Sequence, residues 1–233
     1  MAIAIDSTSN GNSSGSSTTV SHTCTGSNLI LWVATYTAGG DNMTSVTYNA
    51  VAMTLLGKTA MDSGYYMYLH YLAGPATGAN NIVFNRSGSG DTDLVAASYT
   101  GAAQTGIPDA SVINTTVAAQ TSLTQTVTVV AANSWLVGAW RNDASIWTAG
   151  TNTLERSVNP VATAYSIMDS NGGQATGSRS MTATCSSANV TGIMASFAPF
   201  TTSIKTVDGL AVASVKTVDG LAIASVKTIN GLV

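Results

Sequence analysis

Short runs rich in Val, Ile, Thr and aromatic residues follow one another along most of this chain, each closed by a cluster of Gly, Asn, Asp or Ser. No other feature constrains the fold as strongly. β-Branched and aromatic side chains suit a pleated surface, and the intervening residues supply the positive φ angles and side-chain hydrogen bonds of tight turns. Strands are expected at "TTVSHTC", "NLILWVATYT", "SVTYNAVAMTLLGK", "YYMYLHYL", "NIVFNRS", "DLVAASYT", "SVINTTV", "LTQTVTVV", "SWLVGAWRN", "ATAYSIMD", "SMTATCS" and "TGIMASFAPF". No segment shows capped helical periodicity. The turns "AGGDN", "SGSGD" and "SNGGQ" fall at the spacing of an antiparallel β-sandwich.

Two runs alternate cleanly. In "GYYMYLHYL" one face carries Tyr65, Met67, Leu69 and Tyr71 and the other Tyr66, Tyr68, His70 and Leu72. In "SWLVGAW", Trp135, Val137 and Ala139 oppose Leu136, Gly138 and Trp140. One face of each run is expected to close a core between two sheets.

Composition decides what dresses the outside. Hydrophobic residues make up 45% of the 233 and charged residues only 8%, against roughly a quarter charged in average soluble domains. The surface must therefore be built of Ser, Thr, Asn and Gly, and few charges need desolvation when two such faces meet. A net charge of -3 argues against a broad grip on nucleic acid, which needs clustered Lys and Arg. The opening "MAIAIDSTSNGNSSGSS" shows neither a basic n-region nor a long apolar run, so no Sec-type signal peptide is expected. No window reaches the apolar length of a membrane span. An extracellular kind of surface without an export signal fits a virion protein.

The series "NLILWVATY", "MTSVTYNAVAMTLLG", "YLHYLAGPATGANNIVF", "LVAASYTGAAQTG", "SWLVGAW" and "IMASFAPF" resembles a jelly-roll β-sandwich module of tailed-phage virion proteins, capsid decoration or tail-fibre components, and of some bacterial surface proteins. The resemblance covers roughly Ala2 to Phe200. Members carry Gly-Gly where this chain has Asn49-Ala50. The resemblance implies a structural or attachment module in multicopy assemblies, and it implies no reaction.

From Thr201 onward the sequence repeats. Lys205, Lys216 and Lys227 fall eleven residues apart, within "SIKTVDGLAVASVKTVDGLAIASVKTINGLV". Asp208-Gly209, Asp219-Gly220 and Asn230-Gly231 are strong hairpin signals, because both residues of such pairs tolerate the positive φ of a type I′ turn. Eleven is also the repeat of a right-handed coiled coil, but a Gly in every unit and the Val, Ile and Thr bias favour β structure. One face can be made of Val, Leu and Ile while Ala and Lys stems line the other. Ile204, Val207, Leu210, Val215, Val218, Leu221, Ile223, Val226, Ile229 and Leu232 are the expected assembly residues. Repeats this short bury little by themselves and need neighbours. The expected organisation is thus all-β: a jelly-roll-like antiparallel β-sandwich over residues 1–200, followed by a short β-repeat tail over residues 201–233 that assembles or anchors the protein.

Chemistry is sparsely signalled. No nucleophile elbow, P-loop, dinucleotide fingerprint or paired-His zinc motif occurs, and no catalytic residue, metal or cofactor is expected. His22 and Cys24 share a strand face and supply only half of a zinc set. Asp91 and Asp93 stand in a Gly-rich loop whose Ca²⁺ pattern is not completed by a later Glu. Cys24 and Cys185 read as two buried thiols; a disulfide would need early and late strands to be neighbours. Tyr66, Tyr68 and His70 are the candidate ligand surface, able to stack on sugar faces if the row points outward and simply core if it points inward.

These readings favour a structural virion protein of a tailed phage, not an enzyme. Its expected partners are copies of itself, a trimer among the options, other virion proteins and host surface glycans. Two alternatives stand beside it: a carbohydrate-binding or adhesion module, and a self-assembling extracellular filament subunit.

Overall fold

The computed structural model describes residues 1–61, 64–144, 146–159 and 165–201, and in the tail Thr206–Val207, Leu210–Ala211, Thr217–Val218 and Leu221–Ala222, with the backbone alone at 116–117. The chain divides into two compact units, Met1–Phe200 and Thr201–Val233.

The first hundred residues form nine strands: β1 (Ala4–Ser13), β2 (Ser17–Cys24), β3 (Ile30–Ala38), β4 (Met43–Tyr48), β5 (Val51–Ala52), β6 (Thr54–Ala60), β7 (Tyr65–Ala73), β8 (Gly78–Arg86) and β9 (Thr92–Thr100). They make a sheet in the order β1-β9-β3-β7-β6 and a second in the order β2-β8-β4-β5. First pairs with last (β1 with β9), second with next-to-last (β2 with β8) and β3 with β7, all antiparallel. That nested pairing across two sheets is the winding of a jelly roll. The sequence reading stands here: the body is an all-β, antiparallel sandwich.

The roll closes by Thr100, and the rest of the body adds a third sheet. Its strands are β10 (Ala110–Val129), β11 (Trp135–Asn142), β12 (Thr148–Ala149), β13 (Leu154–Val158), β14 (Tyr165–Asp169) and β15 (Gly177–Phe197), ordered β10-β15-β11-β14-β13 with β12 paired to β15. This sheet covers the outer face of the β1-β9-β3-β7-β6 sheet, which becomes the middle layer. Leu31, Val33, Leu94 and Ala96 point from it into a core with Val20, Val46, Ile82 and Phe84 of the β2-β8-β4-β5 sheet. Trp32, Ala34, Val95 and Tyr99, one pleat over, point into a core with Val137, Ile167, Ala195 and Phe197 of the third. Every residue of β3 from Ile30 to Thr37 is accordingly buried, and its near-continuous apolar run is the sequence mark of a strand covered on both faces.

β10 and β15 are each longer than the segments expected of them, because "SVINTTV" joins "LTQTVTVV" and "SMTATCS" joins "TGIMASFAPF". Register shifts between Asn114 and Ser122 interrupt their pairing, and bulges of this kind bend a ribbon. Eleven extended residues would span roughly 36 Å, yet Asn114 Nδ2 donates to Gln125 Oε1 at 3.0 Å, so the ribbon folds back on itself. Gln125 is buried and lies over Gly192, where a Cβ would stand 2.6 Å from its amide. The returning half brings Leu123, Val127 and Met181 against Leu136, Trp140 and Met194, a third core on the far side of β11. Its other face carries four rungs of paired hydroxyl residues, Ser122 with Thr184, Thr124 with Thr182, Thr126 with Ser180 and Thr128 with Ser178, which is the expected Ser and Thr dressing.

Polar pins cross the layers. Tyr99 of the middle sheet donates to Asp169 Oδ2 of the third at 2.9 Å, and the same oxygen accepts a hydrogen bond from Arg156 Nε at 2.6 Å. On β1, a bulge at Asp6 lets its carboxylate accept from the Thr25 backbone at 3.0 Å and from Ser98 Oγ at 2.8 Å. β1 itself was not foreseen. Its "AIDSTSNGNS" has little strand propensity and holds because β9 offers it a ladder along its whole length.

In the tail, Thr206 and Val207 pair with Ala211 and Leu210, and Thr217 and Val218 with Ala222 and Leu221. The register is identical one repeat later, and the expected turns at Asp208-Gly209 and Asp219-Gly220 lie outside the described residues. Among the expected assembly residues, Val207, Leu210, Val218 and Leu221 sit on these strands, whereas Ile204, Val215, Ile223, Val226, Ile229 and Leu232 lie outside the described residues.

Candidate functional site

The Tyr66, Tyr68, His70 row lies on a middle-layer strand, so much of it is enclosed. Tyr68 and His70 are buried and Tyr66 is half-buried. Their rings run in succession, Tyr66 to Tyr68 at 6.4 Å and Tyr68 to His70 at 6.5 Å. The Tyr68 hydroxyl donates to Asp41 Oδ1 at 2.8 Å, and Asp41 also holds the Lys58 ammonium. Burial, followed by the Asp41 carboxylate, pushes the Tyr68 hydroxyl up to about 12. Burial alone holds the His70 imidazole down at about 4, and its Nδ1 has no partner among the described residues. Only the Tyr66 end of the row reaches solvent.

His22 and Cys24 face inward from β2 together with Thr18 and Val20. His22 Nδ1 shares a hydrogen with Ser9 Oγ at 2.8 Å, and burial lowers its pKa to about 4 against the opposing pull of Asp6. Cys24 and Cys185 are separate free thiols, each raised by burial. Among the described residues no three His, Cys, Asp or Glu side chains group as a metal set.

A concavity built by several strands lies elsewhere. At one end of the middle sheet a cleft of ≈ 420 Å³ is lined by Asn12, Ser13, Ser14, Tyr36, Ala38, Tyr65, Asp91, Asp93 and Arg141. Strand register assembles most of it: Asp93 sits between Asn12 of β1 and Tyr36 of β3, and Tyr65 of β7 is opposite Ala38. The third sheet contributes Arg141 from the end of β11. Arg86 fixes the rim, donating from Nη1 to the Asp91 carbonyl at 3.0 Å and from Nη2 to the Ala38 carbonyl. Gly90 leaves room for that guanidinium, since a Cβ there would come within 2.9 Å of it.

Within the cleft, Tyr36 and Tyr65 stack almost parallel, 9° apart with centroids at 5.7 Å, and the Arg141 guanidinium carbon lies 4.6 Å from the Tyr36 centroid. Arg141 Nη2 donates to the Tyr36 hydroxyl at 3.4 Å, while Nε and Nη1 have no partner among the described residues. Asp93 is buried, and burial raises its pKa against the opposing influence of Asn159 and Arg141. The arrangement offers an aromatic face, a cation and two carboxylates. Sequence reasoning had weighed Asp91 and Asp93 only as a calcium loop and Tyr65 only as a possible core residue. No local signal ties them to Arg141.

Comparison with protein-family models, with curated proteins and with solved structures returned no match to this chain.

Proposed function

We propose that the chain is a structural component of an extracellular particle, a tailed-phage virion protein of the capsid-decoration or tail-fibre kind. In this reading the three-sheet body is displayed and the repeat tail joins it to further copies or to other particle proteins. It acts by assembly and not by catalysis. The observation that carries the reading is the tail register. Thr206–Val207 with Leu210–Ala211, and Thr217–Val218 with Leu221–Ala222, each form a two-stranded sheet of their own among the described residues. A lone two-stranded hairpin is marginal in water, and its edges and apolar rungs invite another chain. A body surface dressed with hydroxyl pairs, as on the β10–β15 ribbon, lets copies pack without desolvating charges.

Light scattering on the whole chain and on residues 1–200 tests this. The expected result is an oligomer for the first and a folded monomer for the second. A whole chain that stays monomeric at high concentration, alone and with candidate particle proteins, refutes the proposal.

A further inference from the structure

We propose that the cleft at the Tyr36–Tyr65 stack is a saccharide site that takes a neutral pyranose, with the sugar's C–H face on Tyr65 and its hydroxyls on Asp91, Asp93 and Arg141. This does not depend on the assembly role of the tail. Tyr65 is 42% exposed, although its ring is already held flat by Tyr36 behind it. An exposed aromatic ring fixed by its own stack loses little freedom on binding and presents a negative π face to the weakly positive C–H groups of a sugar.

The polar groups define the ligand's chemistry. Asp93 is enclosed and keeps an Asn159 contact, but a carboxylate has about four acceptor positions. Arg141 supplies only donors, and Asn12, Ser13 and Ser14 line the same cleft. An anionic ligand would meet two carboxylates and a cationic one would meet Arg141. A purely apolar ligand would further desolvate Asp93 without offering it a proton to accept. A neutral ring with adjacent hydroxyls satisfies all of them, donating to Asp91 and Asp93 and accepting from Arg141. The ≈ 420 Å³ of the cleft falls in the range of small-ligand sites, roughly 300–1,000 Å³.

The test is saturation-transfer NMR on the full chain with the methyl glycosides of glucose, galactose, mannose and N-acetylglucosamine, and with methyl glucuronide as the anionic arm. Transfer to at least one neutral glycoside is expected. Tyr65→Ala should weaken that binding by at least about tenfold, with near-ultraviolet circular dichroism verifying its fold after loss of the stack on Tyr36, while Tyr65→Phe should retain both the stack and the binding. Asp93→Asn should also weaken binding, with near-ultraviolet circular dichroism verifying its fold. Three outcomes overturn the proposal: no transfer to any neutral glycoside, transfer to the glucuronide alone, or binding unchanged by Tyr65→Ala.

Discussion

Acid should unfold this protein through its two histidines. His22 and His70 are buried on strands that face the interior of the roll, and burial brings each imidazole from 6.5 to about 4. Between those two values the unfolded chain binds a proton that the folded chain refuses, so stability is complete above pH 6.5 and falls as the pH drops towards 4. Each fall of about 2.5 below the ordinary value, at about 1.36 kcal/mol per unit, is about 3 kcal/mol, or roughly 6 to 7 kcal/mol for the pair below pH 4 and about 5 kcal/mol of it by pH 4.5. Domains of this kind have about 5–15 kcal/mol in total. Asp41, held low first by Lys58, adds a loss only below its ordinary carboxylate range. Asp93, raised by burial, works in the opposite sense, because its folded form gains a proton first. The assay is urea unfolding from pH 7 to 4.5, followed by fluorescence of the four tryptophans, all of them buried. His70→Gln, which cannot titrate, should remove about half of the pH dependence whatever its effect at pH 7. Wild-type stability flat to within about 1 kcal/mol across that range, or an unaltered slope in the His70 variant, would refute the reasoning.

Two further substitutions probe the backbone. Asn49 and Ala50 close the β4–β5 hairpin with φ of 48° and 63°, and a Cβ in that region is strained; Ala50→Gly should therefore raise stability by about 1 kcal/mol in urea unfolding, and no gain would show that the turn is not of this type. Gly192→Ala should cost about 1–3 kcal/mol, because its Cβ would stand 2.6 Å from the Gln125 amide. Adding Gln125→Ser should recover part of that loss, and a double-mutant cycle without coupling would contradict the fold-back of the β10–β15 ribbon.

Strand type, turn positions and the hydroxyl-rich exterior were legible because each is a local property. A run such as "NLILWVATYT" suits a pleated surface by its own β-branched and aromatic residues, and Asp-Gly after Thr-Val is a hairpin signal that depends on nothing distant. Alternation in "GYYMYLHYL" and "SWLVGAW" likewise divides each strand into two faces. It does not say what covers them, and the expectation that one face of each run would be core gave way to burial on both sides: Met67 and Leu69 lie in one core while Tyr68 and His70 are enclosed on the other face, and Val137 and Trp140 belong to different cores. Coverage depends on where a distant sheet packs, and that is set by long-range apolar contact and not by the pleat. The same reason hid β1, whose polar sequence becomes a strand only beside β9, and the merging of the half-strands into β10 and β15 across their irregular middle. It also hid the cleft. Tyr36, Tyr65, Asp93 and Arg141 come from four strands of two sheets, and only the docking of the third sheet on the roll brings a cation, a buried carboxylate and a stacked pair of rings to the same few ångströms.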